Sequence, residues 1–239
     1  MAKPSTQHAV AGHVGAGGPG GHGTAHHPKL QHHFYSMEQQ LEASTLGMWV
    51  FLVTEVMFFG GLFMAYIVYR WMYPEHWAAA SNQLNVAMGA LNTVVLIGSS
   101  LTMVLAVRAA QVGSRGGQIA NLILTILLGS TFLVVKYFEY AEKFEHHLVP
   151  GPNFNPALAP PQQIFFALYF IMTGIHAAHM VVGIVLMLVI LAMAWRNEFS
   201  PSYYTPVEIS GLYWHFVDIV WIFLFPLLYL LGAHLGAAH

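Results

Sequence analysis

The chain has 239 residues, of which 56% are hydrophobic and only 8% charged, and its formal net charge at pH 7 is -2. That charged fraction is far below the roughly 25% of soluble domains, so the composition predicts an integral membrane protein. The net charge excludes a nucleic-acid-binding protein, which needs a clustered basic surface. The absence of cysteine excludes disulfides, thiolate metal ligands and c-type haem attachment.

Residues 1–40 are polar and rich in glycine and histidine, which predicts a flexible amino-terminal tail ahead of a membrane domain at 41–239. The tail lacks the apolar core of a cleaved secretory signal. Its histidines can bind a divalent metal loosely, but no ligand spacing repeats among them, so we expect a low-complexity segment without a metal site. They are His8, His13, His22, His26, His27, His32 and His33.

Five stretches are long enough to cross a hydrocarbon core, which takes about 20 residues. They lie at 44–69, 88–110, 119–138, 163–195 and 212–232. The alternating ten-residue segments of a membrane β-barrel do not occur in the sequence. We therefore predict an all-α fold, an integral membrane bundle of five transmembrane helices.

The first span carries Glu55 near its middle, where a charge costs a few kcal/mol. Glu55 can be a structural carboxyl that hydrogen-bonds to a neighbouring helix and fixes the packing. It can equally belong to a proton-linked or lipid-contacting polar site, and the sequence supports both interpretations. Gly60 and Gly61, further along the span, are expected to allow another helix to approach closely.

Lys136 and Glu139 lie one turn apart near the end of the third span. A long basic side chain at that position can reach the membrane surface and pair with a carboxylate. We therefore expect this ion pair to lie at a solvated rim.

The fourth span places His176 and His179 on one helical face. Paired intramembrane histidines can ligate haem iron, with His215 of the last span as an opposing ligand. His215 lies near the start of its span and the other two in the first half of theirs, in a helix of opposite direction, so we expect different depths. The sequence therefore favours hydrogen-bonded packing histidines over a haem site.

In the last span, His215 and Asp218 are three residues apart and so share one helical face, where we expect them to contact each other. A carboxyl at membrane depth normally faces other protein. Trp214 and Trp221, seven residues apart, fall on much the same side as large anchors.

The basic residues predict the direction of insertion, because they are enriched in cytoplasmic loops. One side of the predicted bundle carries Lys3, Lys29, Arg108, Arg115 and Arg196, and the other carries Arg70, Lys136 and Lys143. We expect the amino terminus inside and the carboxyl terminus outside.

Five runs of sequence together resemble subunit III of the haem–copper oxidases, in the same order and at similar spacing. They are LGMWVFLVTEVMFFGGLFMAY, LNTVVLIGSS, the Glu139-Tyr140 pair, TGIHAAHMVVG and YWHFVDIVWIFLFPLLY. The resemblance covers residues 44–232, which is essentially the whole membrane part.

The resemblance implies an accessory subunit, without haem or copper of its own, of a proton-pumping oxidase in a bacterial plasma membrane. Its partners would be subunit I, subunit II and bound phospholipid; membership of a respiratory supercomplex is left open. The implied buried polar and structural residues are Glu55, Glu139, His176, His179, His215, Asp218 and Trp221. The implied lipid-binding residues are Arg196, which can engage a phosphate, and Trp49.

The chain departs from the family in two ways. Lys136 stands where a neutral glutamine is commoner. The seven-helix form has two further amino-terminal spans, which in some bacterial oxidases are carried by subunit I, so its lipid cleft does not transfer whole. A quinol oxidase subunit III, the accessory subunit of nitric oxide reductase and a haem-binding cytochrome b-type protein remain alternatives.

Overall fold

The computed structural model describes residues 34–151, 154–156 and 158–230. Over these ranges the elements in chain order are α1 Met37–Met72, α2 Pro74–Ser81, α3 Val86–Gln111, α4 Arg115–Glu145, α5 Pro160–Trp195, α6 Thr205–Phe225 and a π-helical turn Pro226–Leu230. Five helices, all but α2, are long and apolar enough to cross a membrane. The predicted all-α fold with five transmembrane helices is confirmed. The predicted histidines of the tail and residues 231–232 of the last span lie outside the described residues.

α1 begins earlier than the hydrophobic pattern predicts, because Ser36 caps it. The Ser36 Oγ accepts a hydrogen bond from the Gln39 backbone N–H at 3.1 Å, as a helix N-cap should. The helix therefore starts at Met37, and the predicted boundary between residues 40 and 41 falls inside it.

α2 is a short helix that the sequence analysis did not predict. Pro74 occupies its first turn, where the fixed φ of proline suits a helix start. Trp77 and Ala80 are buried against the bundle. Eight residues are too few for a periodic hydrophobic pattern to stand out, so tertiary packing decides this element.

α6 is the central helix of the bundle and α1 is peripheral. α6 packs against α1, α3 and α5, whereas α4 packs against α3 and α5. Of the apolar window of α6, 56% is buried inside the protein, compared with 17% for α1. The last span therefore organises the fold, and most of α1 faces outward.

Trp214 of α6 fills the centre because two neighbouring helices carry glycine beside it. Its Nε1 donates to Ser99 Oγ on α3 at 3.0 Å. A Cβ atom on Gly129 of α4 would lie 2.7 Å from the indole ring, and one on Gly183 of α5 would lie 2.9 Å from it. These glycines let α4 and α5 approach the indole closely, as small residues do in membrane bundles.

Gly60 and Gly61 do not play this part, and the prediction that a helix approaches them closely is wrong within the described chain. A Cβ atom at either position would have nothing within 4 Å. The physical reason is the peripheral position of α1, whose glycine pair points away from the bundle.

We expect Gly183→Ala to lower the free energy of unfolding by about 1–3 kcal/mol, because overpacking displaces the indole of Trp214. Gly61→Ala is the matched control: it makes the same change on a helix with open space beside it, and its higher helix propensity should leave stability equal or greater. Titration of the detergent-solubilised protein with a denaturing detergent, followed by circular dichroism, measures both. Equal stability of the two variants would contradict this packing.

Candidate functional site

Lys136 and Glu139 form a sealed ion pair inside the bundle, not at a solvated rim as predicted. The Lys136 Nζ donates to Glu139 Oε2 at 2.9 Å, to the Tyr229 hydroxyl at 2.9 Å and to the Tyr169 hydroxyl at 3.3 Å. Both tyrosines in turn donate to Glu139 Oε1. Only 3% of Lys136 and none of Glu139 is exposed.

The prediction of a rim fails for a physical reason. α4 continues to Glu145 instead of ending near residue 138, so Lys136 lies a further two turns inside the helix. α5 and the π-helical turn then bring Tyr169 and Tyr229 over the pair. The cluster ties three elements together, and its two tyrosines were missed because aromatic residues are common in any membrane span.

Aromatic rings surround the ammonium group of Lys136 on its remaining sides. The Nζ lies 5.1 Å from the ring centroid of Trp221, 5.2 Å from that of Tyr169 and 5.5 Å from that of Tyr140. At such distances the ring faces attract a cation. Trp221 is itself fixed by a hydrogen bond from its Nε1 to Thr93 Oγ1 at 3.1 Å.

Glu55 meets His179 across the α1–α5 contact. The His179 Nε2 lies 3.1 Å from Glu55 Oε2, and its Nδ1 lies 2.9 Å from the Ile175 carbonyl oxygen. Because a carbonyl only accepts, Nδ1 carries a proton, and one further proton lies between Nε2 and the carboxyl oxygen. The side chains are 20% and 19% exposed, so this pair sits at the edge of the bundle.

His176 is fully buried and packs between two rings, with centroids 5.3 Å from Phe132 and 5.3 Å from Trp221. Neither of its ring nitrogens has a hydrogen-bond partner in the described part of the chain. The expected hydrogen-bonded packing therefore holds for His179 but is wrong for His176, which is held by ring contacts.

The expected difference in depth from His215 holds for His176, which packs beside Trp221 six residues further along α6, but it is wrong for His179. α5 and α6 run antiparallel, with His176 beside Trp221 and Gly183 beside Trp214, so His179 lies near the level of His215. His179 and His215 differ instead in the helices to which they are hydrogen-bonded.

His215 contacts α3, where its Nδ1 lies 2.7 Å from Ser100 Oγ. His179 contacts Glu55 on α1. Over the residues that the structure describes, no three histidine, aspartate or glutamate side chains gather as a metal site would require.

The predicted contact between His215 and Asp218 does not form. Neither carboxylate oxygen of Asp218 has a hydrogen-bond partner among the described residues, although only 3% of the residue is exposed. His215 is committed to Ser100. All three side chains line a cavity between α3 and α6.

Arg115 closes the end of the bundle at which α5 finishes. Its Nε donates to the Ala194 carbonyl at 3.2 Å and its guanidinium also donates to the Trp195 carbonyl, so it satisfies the last turn of α5. The predicted lipid-binding residues are both on the surface: Arg196 follows that turn and is exposed, and Trp49 is 54% exposed on α1.

A family model described as cytochrome c oxidase subunit III matches residues 30–233. The chain belongs to this family. The cytochrome c oxidase subunit 3 of Corynebacterium diphtheriae is 36% identical over 187 residues, which cover 77% of this chain and 86% of that protein. The subunit 3 of Thermostichus vulcanus is 34% identical over 191 residues, with coverages of 78% and 86%.

A relative of a second type is the cytochrome bo(3) ubiquinol oxidase subunit 3 of Pseudomonas aeruginosa, 31% identical over 193 residues that cover 80% of this chain and 86% of that protein. The resemblance to the haem–copper oxidase subunit III family is therefore confirmed. As a cytochrome c oxidase subunit III, the chain is a multi-pass membrane protein and part of a multi-subunit oxidase.

We expect Lys136→Met to lower the free energy of unfolding by about 3–5 kcal/mol, because Glu139 loses its ionic partner while it stays buried. Lys136→Gln can still donate a hydrogen bond to Glu139 and should cost less. Adding Glu139→Gln to Lys136→Met should recover stability. Denaturant titrations of the solubilised variants test this, and a Lys136→Met protein as stable as the wild type would refute it.

Proposed function

We propose that this subunit III is a cofactor-free accessory subunit that stabilises the haem- and copper-bearing subunit I, binds phospholipid at its surface and supports proton uptake. The observation that carries the proposal is that the ionisable groups inside the spans form hydrogen bonds between helices. Lys136 and Glu139 join α4 to α5 and the π-helical turn, and Glu55 and His179 join α1 to α5. Their hydrogen bonds hold helices together.

Cytochrome c is the electron donor that we propose, with subunit II as the second partner. Relatives named as cytochrome c oxidase subunits are 36% and 34% identical to the chain. The alternative is a quinol oxidase, supported by the relative at 31% identity. Subunit III does not itself decide between them, because the donor is bound by other subunits.

The proposed support of proton uptake rests on the Glu55–His179 pair. One proton is shared between a carboxyl and an imidazole at 3.1 Å, and about a fifth of each side chain is exposed at the edge of the bundle. A pair of this kind can pass its proton between the carboxyl and the imidazole without changing the net charge that it places in the membrane.

For orientation, we propose that the amino terminus lies in the cytoplasm and the carboxyl terminus outside the plasma membrane of a bacterium. Arg108, Arg115 and Arg196 are exposed together at one end of the bundle. At the other end, Lys143 is buried and donates to the Gln83 carbonyl at 2.7 Å, Lys136 lies inside the bundle, and Arg70 is half-buried. The excess of free basic charge at the first end fits a cytoplasmic face.

We expect Glu55→Leu to loosen subunit III from the oxidase more than it slows turnover per assembled complex, because it breaks the α1–α5 contact. Glu55→Gln keeps a hydrogen bond to His179 and should retain more of the subunit. The measurements are the ratio of subunit III to haem in the purified complex and oxygen consumption per haem. Normal stoichiometry with abolished turnover in both variants would contradict the structural role of Glu55 and leave only its part in proton uptake.

We expect Arg196→Gln to weaken the affinity for an anionic phospholipid by about tenfold, which corresponds to about 1.4 kcal/mol, because a neutral amide replaces a charge-assisted contact to phosphate. Arg108→Gln is the control at the same end of the bundle. Mass spectrometry of the lipids that remain with the washed complex, counted per haem, measures the difference. Equal lipid retention in both variants would remove Arg196 from the lipid site.

A further inference from the structure

A cavity of about 370 Å³ opens on the outer side of the bundle between α3 and α6. It is lined by Leu96, Ile97, Ser100, Val104, His215, Asp218, Ile219 and Ile222. Five of these lining residues are aliphatic, and the three polar ones, Ser100, His215 and Asp218, form one small polar centre in an apolar surface. Asp218 is 97% buried and neither of its oxygens has a partner in the described part of the chain.

This polar centre lies too deep for a phospholipid headgroup. Asp218 is thirteen residues from Thr205 and twelve from Leu230, which places it about 18–20 Å from either end of the span at 1.5 Å per residue. Ser100 is at least eleven residues from either end of α3, or about 16 Å. The hydrocarbon core is about 30 Å thick, so both groups lie near its middle, out of reach of phosphate.

Within the described chain, no residue beside Asp218 forms a hydrogen bond with its carboxyl group. Ser100 and His215 are bonded to each other at 2.7 Å, and the remaining lining residues carry only hydrocarbon side chains. A carboxyl at this depth costs several kcal/mol without a partner. The acyl chain of a lipid would cover the apolar walls but could not donate a hydrogen bond.

The exposed faces of α3 and α6 form a groove that can accommodate a helix. On α3, an exposed ridge runs along one face, with Val94 67%, Ile97 54% and Leu101 61% exposed. On α6, Ile219 is 51% and Ile222 46% exposed. Two apolar ridges with a groove between them accept a third helix, and one polar group in the groove fixes its register.

We infer that the α3–α6 groove seats a transmembrane helix of another oxidase subunit, which presents a hydrogen-bond donor side chain to Asp218 near the middle of the membrane. The donor is a hydroxyl, an amide or a basic group. This inference deepens the proposed function, since it rests on the accessory role and names the surface and the chemistry of the partner.

A photoreactive amino acid at position 97 or 222 of the intact oxidase tests the surface while it leaves Asp218 in place. We expect illumination to join either position to a membrane-spanning peptide of another subunit that carries a donor at matching depth. Position 127 is the control, because Leu127 is 58% exposed on α4, away from the groove, and should yield lipid adducts. Adducts of lipid or of a small amphiphile alone at 97 and 222 would overturn the inference.

Two substitutions test the donor. Asp218→Leu should weaken retention of subunit III in the complex by about tenfold, whereas Asp218→Asn keeps an accepting oxygen and should stay within about twofold of the wild type. Equal retention of the leucine variant and the wild type would overturn the role of Asp218. Recovery of the chain without any haem-bearing partner would refute the proposed function itself, whereas a normal complex with lipid adducts at 97 and 222 refutes only the groove.

Discussion

The arrangement of this bundle depends on the requirement that a polar group in hydrocarbon must find a partner. Lys136 and Glu139 satisfy this requirement by hydrogen bonds to each other and to two tyrosine hydroxyls. Because these tyrosines come from α5 and from the turn after α6, the ion pair fixes the place of both elements relative to α4. Lys136 supplies the positive charge that stabilises the buried carboxylate of Glu139.

Packing around α6 follows from a match between large and small side chains. The indole of Trp214 needs the space that Gly129 and Gly183 leave open, and Trp221 packs against Phe132 at 4.8 Å between centroids. A helix that carries two buried tryptophans can have close neighbours only where those neighbours lack side-chain bulk. The consequence is a bundle that is tight around α6 and open along α1, which leaves one helix free to meet lipid or protein.

The polar groups of the spans divide into those that form hydrogen bonds within the described chain and those that do not. Lys136 and Glu139 stabilise this subunit by itself, and Glu55 and His179 do so at its edge. Asp218, by contrast, faces a groove and has no donor among the described residues. In a subunit of a larger oxidase, such a division separates the interactions that fold the chain from those that join it to its partners.

The sequence alone determined the all-α fold, the five spans and the family, because apolar length and five ordered motifs are properties of the chain itself. It also singled out Glu55, His179 and Asp218, since charge at membrane depth is conspicuous in any sequence. Only the tertiary structure decided their partners. Glu55 lies beside His179, which is more than a hundred residues away in the sequence, and His215 is hydrogen-bonded to Ser100 and not to Asp218. Lys136 is enclosed by two tyrosines that are also distant in the sequence. Periodicity fixes which face of a helix a residue occupies, but the neighbour on that face depends on how the other helices pack.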